Sequence, residues 1–187
     1  MKVTTSERVR MMKRTGNAPG LTTEQKQAAK IFLIDDEPII LELFEVYLGE
    51  AGFEQIFPFT ESVEAVETLR YVTPSVILTD INMPEVSGNF LIKLIRTFDH
   101  LRTVPIVAVT SNASEEAHET TVRKGADVVL NKPVDGDILL RTVNQILHSA
   151  ILLQQKISEN EEREQQRMNQ KKADQISFES NLRNMMR

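Results

Sequence analysis

Asp35, Asp36, Asp80, Thr110 and Lys132 are the side chains whose types and settings could do chemistry together. Each closes or follows a short apolar run. Lys30-Ile31-Phe32-Leu33-Ile34 leads into Asp35-Asp36-Glu37-Pro38, and Val76-Ile77-Leu78-Thr79 into Asp80-Ile81-Asn82-Met83-Pro84. Val104 to Val109 ends in Thr110-Ser111-Asn112, and Asp127 to Leu130 in Asn131-Lys132-Pro133. Such runs, bounded by turn residues, read as buried strands. In a parallel sheet their ends share one edge, where ligands collect in open α/β folds. Three carboxylates gathered there repel one another and invite a hard divalent cation. Mg²⁺ suits such oxygen donors. Lys132 adds a point positive charge and Thr110 a hydroxyl donor, which completes a cradle for a phosphoryl group. One of the carboxylates can then act as nucleophile and carry the group as an acyl phosphate. Taken singly, Asp36 could be a helix N-cap before Pro38, Thr110 another cap, and Lys132 a solvated lysine. Capping does not explain their joint occurrence at consecutive strand ends.

The elements that must position these groups alternate regularly. Glu54 to Phe59 reads as a further strand, and Pro58 assigns it to a sheet edge. Between the strands lie helical patterns. The first places Ile40, Phe44, Tyr47 and Ala51 on one face and stops at Gly52. Glu61 to Val72 turns Ala65, Leu69 and Val72 inward, and Ser87 to Phe98 carries Phe90, Leu91, Leu94, Ile95 and Phe98. Ala113 to Lys124 is polar with a thin apolar face, so it is weakly held. Asp137 to Ala150 is the last core helix. Five strands, five helices and short connections predict an α/β fold, a doubly wound five-stranded parallel sheet with helices on both faces.

The expected organisation is a flexible N-terminal tail over 1–29 with a helical turn from Thr22 to Ala29, a compact domain over 30–150, and a C-terminal helical extension over 151–187. Val143, Ile146, Ala150, Leu153 and Ile157 keep the three-four spacing of a coiled-coil seam. It fails at Asn160 and Glu164, after about two heptads. The expectation is a helix that leaves the domain and pairs with a second copy near 146–157.

Charge narrows the function classes. The net charge of −5 is unevenly spread: residues 1–30 hold 7 basic and 2 acidic side chains, 31–150 hold 8 and 19, and 151–187 hold 7 and 6. An acidic central domain argues against direct nucleic-acid binding there. The chain has no cysteine, hence no disulfide and no thiolate metal site. No apolar run approaches the roughly 18 residues of a membrane span. The basic start lacks the apolar stretch of a secretory signal. Together these predict a cytoplasmic protein without membrane insertion. No phosphate-binding glycine motif is present, and His100, His118 and His148 stand apart in sequence.

Residues 31–150 resemble the receiver domain of two-component response regulators. The likeness rests on the Asp35-Asp36 pair, Asp80 in Asp-x-x-Met-Pro with Gly88 beyond it, Thr110, Lys132-Pro133, and the intervals between them. It implies a flavodoxin-like strand order 2-1-3-4-5 and a phospho-acceptor rather than an enzyme acting on other substrates. It also implies that Asp80 receives the phosphoryl group from a histidine kinase or a phosphotransfer protein. By the same resemblance, Asp36, Asp80 and the backbone carbonyl of Asn82 ligate Mg²⁺, and Asp35 acts through a bound water. Lys132 would pair with the phosphoryl oxygens, Thr110 would move to bond one of them, and Lys132-Pro133 would be cis. One departure is Val129, three residues before the lysine, where receivers usually carry Tyr or Phe. The aromatic part of the usual switch is missing. With no DNA-binding or catalytic domain following, output is expected through protein contact with a downstream partner or through dimerisation. A phosphorelay intermediate is the alternative. A haloacid-dehalogenase-type phosphatase is the remote one, because it needs a general acid where this chain has Asn82.

Overall fold

A computed structural model of the chain describes residues 20–84 and 86–185, excluding the side chains of 175–185. It forms two units, Met1–Ala150 and Ile151–Arg187. In the first, five parallel strands are ordered β2-β1-β3-β4-β5: β1 (Lys30–Ile34), β2 (Gln55–Phe59), β3 (Val76–Asp80), β4 (Ile106–Thr110) and β5 (Val128–Asn131). Central β3 and β4 are buried throughout, and β1 from its second residue on. This is why they read as unbroken apolar runs: helices cover both faces. β2 and β5 lie at the edges. Pro58 sits within β2, where a missing amide donor is tolerated.

The helices are α1 (Thr23–Ala28), α2 (Pro38–Glu50), α3 (Ser62–Leu69), α4 (Gly88–Ile95), α5 (Glu115–Lys124) and α6 (Gly136–Met185), with a 3₁₀ turn at Asp99–Leu101. The expected flexible tail does not reach residue 29. Thr22 and Gln25 form a capping box on α1, the flanking Leu21 and Ala29 are buried, and the Lys26 ammonium bonds the Ala51 carbonyl at 2.8 Å. The rest of that expected tail, residues 1–19, lies outside the described residues.

Two helix faces differ from the expected ones. In α2 the buried positions are Leu41, Phe44 and Leu48, rather than the face of Ile40, Tyr47 and Ala51. In α4 they are Gly88, Leu91, Ile92 and Ile95, and Phe90 is 59% exposed. The latter set is an i, i+3, i+4, i+7 stripe, and its phase is set where the helix begins, at Gly88. α5 is held as expected of a polar helix: only Thr121 is buried. Local chemistry supports it instead. Ser114 caps its start, Glu115 and Glu116 occupy the first turn, Arg123 and Lys124 the last, and Gly125 closes it at φ 119°. Behind it, Arg96 donates to the carbonyls of Leu101, Val104 and Gly125 and pairs with buried Asp127 at 2.9 Å.

The expected coiled-coil seam is shorter than its spacing suggested. Val143 and Ile146 are buried within the first unit's core, beside Leu139 and Leu147, so they cannot also line a seam with another chain. In the second unit, the side chains from 154 to 174 are exposed. Pairs one turn apart, such as Glu159 with Arg163 at 3.7 Å, support an isolated helix.

Candidate phosphoryl-acceptor site

The topology brings the ends of β1 and β3 side by side at the point where strand order reverses. Asp35 follows β1 and Asp80 ends β3, and both are nearly inaccessible, at 4% and 3%. The backbone fixes each carboxylate: the Glu37 amide donates to Asp35 Oδ1 at 3.0 Å and the Asn82 amide to Asp80 Oδ2 at 2.6 Å. Lys132 enters from the end of β5. Its Nζ stands 2.9 Å from Asp35 Oδ2, 3.0 Å from Asp80 Oδ1 and 3.0 Å from Glu37 Oε1.

The Asp80 contact is at ion-pair distance, yet Asp80 Oδ1 has no aligned hydrogen bond although it is buried. An under-satisfied buried carboxylate oxygen is costly unless something else comes to it. Here that oxygen is the natural attachment point for a cation or an electrophile.

The charges are coupled. Burial pushes the Asp35 carboxyl up, and hydrogen bonds from Lys132 and the Glu37 amide only partly reverse this. Burial pulls Lys132 down, but its close contacts with the Asp35, Glu37 and Asp80 carboxylates outweigh that, so its pKa is raised. Lys132 is therefore a permanent cation held between carboxylates, not the solvated lysine of the plainer reading.

Thr110 ends β4 beside the site. Its hydroxyl accepts from the Asn112 amide at 3.1 Å, and the Asn82 side-chain amide lies 3.5 Å from it and 2.9 Å from the Ser111 hydroxyl. The Lys132 amide donates to the Thr110 carbonyl at 2.8 Å, which ties β5's end to β4's. Lys132-Pro133 is cis. Gly88 is the site's backbone requirement: a Cβ there would collide with the Asp80 carbonyl oxygen and stand 2.8 Å from Ile81 Cα. The Gly88 amide instead donates to the Ile81 carbonyl at 3.0 Å, closing the loop beneath Asp80.

Asp36 is exposed, next in sequence to Asp35, and does not cap α2; the N-cap position is Glu37. Among the described residues, no three His, Cys, Asp or Glu side chains form a ready metal cage. Asp36, Asp80 and the Asn82 carbonyl nevertheless supply the hard oxygen donors that suit Mg²⁺, which completes its shell with water. Three features were missed in the sequence. Glu37 is a third carboxylate on Lys132, and the Asp-Asp-Glu-Pro run was its only signal. Ser111 accepts from Asn82. His118 is not isolated, since its ring bonds the Asn131 side chain at 2.7 Å across α5 and β5. Val129 packs, partly buried, against the core and carries no ring.

A family model, the response regulator receiver domain, matches residues 31–144. The chain belongs to the response regulator receiver family. Among curated relatives, this receiver is 29% identical over 120 residues to the polar-differentiation response regulator DivK of Brucella anthropi, covering 64% of this chain and 97% of DivK. It is 33% identical over 122 residues to the sensor histidine kinase RcsC of Salmonella typhimurium. That match covers 65% of this chain but only 13% of RcsC. Among solved structures, the chemotaxis response regulator CheY4 of Vibrio cholerae superposes with a TM-score of 0.60 at 27% identity, covering 63% of this chain and 98% of CheY4. Receivers as a family are phospho-acceptors that meet histidine kinases or phosphotransfer proteins and use Mg²⁺. Among the described residues no helix is long and apolar enough to cross a membrane.

Proposed function

We propose that this receiver takes a phosphoryl group onto Asp80 from a histidine kinase or a phosphotransfer protein, in a Mg²⁺-dependent reaction. The observation that carries the reading is the state of the Asp80 carboxylate. One oxygen is fixed by the Asn82 amide, and the other is buried, faces the Lys132 ammonium and has no aligned hydrogen bond. In the transfer, an Asp80 oxygen forms the new O–P bond as the P–N bond to the donor imidazole breaks. The electron pair leaves on that imidazole nitrogen, and because the donor ring carries a proton on its other nitrogen the imidazole departs neutral. Asp36, Asp80 and the Asn82 carbonyl would hold Mg²⁺, with Asp35 behind a water. When bound, the ion offsets the charge on the phosphoryl oxygens. Lys132 contributes its ammonium to one of those oxygens, and Thr110 its hydroxyl to another once it turns from the Asn112 amide. The proposal carries with it a cytoplasmic location, where ATP charges such a kinase.

The test is labelling with acetyl phosphate and Mg²⁺. One acid-stable, base-labile phosphoryl group per chain is expected, and none on Asp80→Asn, whose amide is not a nucleophile. Full labelling of Asp80→Asn would refute Asp80 as acceptor. For output we infer pairing of two copies through the exposed part of α6, since Ile157 is 41% exposed on a helix with no Gly or Pro after its first residue. The mass of the full chain in solution, with and without phosphodonor, reads this directly. Onward transfer to a second histidine would instead appear as label leaving Asp80 for a phosphotransfer protein.

A further inference from the structure

Burial does little to hold α5, where only Thr121 is buried. Polar bonds fix it instead. At its start, the Ser114 amide donates to Asn112 Oδ1 at 3.0 Å, and the Ser114 hydroxyl accepts from the Ala117 amide at 3.3 Å. The Asn112 amide in turn donates to the Thr110 hydroxyl at 3.1 Å. Consecutive side-chain-to-backbone bonds thus lead from Thr110, beside the acceptor, to the first turn of α5. Further along the helix, His118 Nε2 stands 2.7 Å from Asn131 Oδ1. An amide oxygen only accepts, so that nitrogen carries the proton. Asn131 precedes Lys132 and pairs with Thr110 in the sheet. Residues 129 and 131 alternate onto the same face of β5. Val129 carries no ring, and on that face it is Asn131 that bonds α5. At the far end, Arg96 donates to the Gly125 carbonyl at 3.0 and 2.8 Å.

We propose that α5 registers phosphorylation through two polar tethers: Asn112 passes the turn of Thr110 to the first turn of the helix, and His118 pins the rest of the helix to β5. The Thr110 hydroxyl, in turning to a phosphoryl oxygen, leaves the Asn112 amide, and the turn from Asn112 to Ser114 slackens behind it. The helix then frays from its start, where burial is least and local opening costs least. His118 and Arg96 keep the second half in place. This deepens the phospho-acceptor reading and rests on it: it names the element that responds to the change at Asp80 in a chain without the aromatic ring.

The experiment is hydrogen exchange of the full chain with Mg²⁺, read amide by amide, with and without excess acetyl phosphate. The mass of the same sample gives the labelled fraction. In the wild type, labelling should speed exchange at Ala117 and His118 about two- to ten-fold, the factor that one hydrogen bond carries. Exchange from Val122 to Gly125 should not change. Asn112→Ala removes the oxygen that holds the Ser114 amide and leaves Asp80 and Thr110 in place, so it should take the label and show no such rise. His118→Ala should let the rise spread to Val122 through Gly125. His118→Gln can still offer an N–H to Asn131 and should confine it again. Equal exchange in labelled and unlabelled wild type would overturn the proposal. So would a full response in Asn112→Ala, a rise still confined to the first turn in His118→Ala, or a His118→Gln that behaves as His118→Ala does. In each of those cases the mass still shows the label, so the acceptor reading stands, whereas an unlabelled wild type takes both down.

Discussion

Lys132→Ala should destabilise this receiver, and by an amount the site's geometry sets. Taken singly in sequence, Lys132 reads as a solvated lysine. The structure places its ammonium between two carboxylates that are 4% and 3% accessible. Removing one partner of a buried pair costs about 3–5 kcal/mol, because the remaining charge is stranded. The lower end applies, since the Lys132 side chain keeps 15% exposure and Asp35 can relieve the strain by taking a proton. About 3 kcal/mol is then expected, or roughly 10 °C in Tm for a domain of this size.

The loss should depend on pH. Asp35 is already pushed up by burial, and without Lys132 it rises further above its unfolded value. Between the unfolded and folded pKa the native state holds more protons than the unfolded state, so stability falls as pH rises through that window. The variant should therefore lie closest to wild type on the acidic side of the window and furthest above it. Two additions should restore it: Mg²⁺, through the site proposed for it among the native carboxylates, and a second substitution, Asp35→Asn, which removes the stranded charge. Urea unfolding across pH, with and without Mg²⁺, measures all of this. A wild-type midpoint for Lys132→Ala at neutral pH without Mg²⁺ would show that the ammonium does not hold the carboxylates.

Gly88→Ala forces a Cβ against the Asp80 carbonyl. It should cost about 1–3 kcal/mol by overpacking and slow Asp80 labelling, read by urea unfolding and phosphodonor kinetics on the same sample; wild-type values in both would mean the loop yields freely. For the proposed pairing, Ile157→Asp should lower the mass seen by light scattering at tens of micromolar without moving the thermal midpoint. Val143→Asp should unfold the first unit, because Val143 is core. A monomeric wild-type chain, with and without phosphodonor, would end the pairing proposal.

Strand type and order were legible because burial on both faces leaves an unambiguous mark. Ile31 to Ile34, Val76 to Leu78 and Ile106 to Val109 are apolar without alternation, and all are buried. Helix existence was equally legible, but helix rotation was not. In α2 the candidate faces Ile40-Phe44-Tyr47 and Leu41-Phe44-Leu48 are both apolar at helical spacing, and periodicity cannot rank them. In α4, Phe90 is a stronger apolar signal than Gly88. Yet Gly88 sets the phase, because only a residue without a Cβ can lie against the Asp80 backbone. The seam along α6 misled in the opposite way, since one stripe served two readings. Val143 and Ile146 look identical whether they face a core or a partner helix, and only the packed domain assigns them to the core.

At the site, residue type identified the members and three-dimensional pairing decided their states. Asp35, Asp80, Thr110 and Lys132 were marked by their position at strand ends, and the sheet brings those ends together. Whether a lysine so placed is solvated or locked depends on how far its carboxylate neighbours are buried, which no local window contains. Glu37 shows the limit most clearly. In sequence it is one more acid before a proline, read most simply as part of a helix start. In the fold it lies 95 residues from its partner and bonds the Lys132 ammonium at 3.0 Å. It is the one exposed member of the three carboxylates around that ammonium, at 57% against 5% and 3%, and that difference arises only from how the strand ends pack, which no stretch of sequence around residue 37 contains.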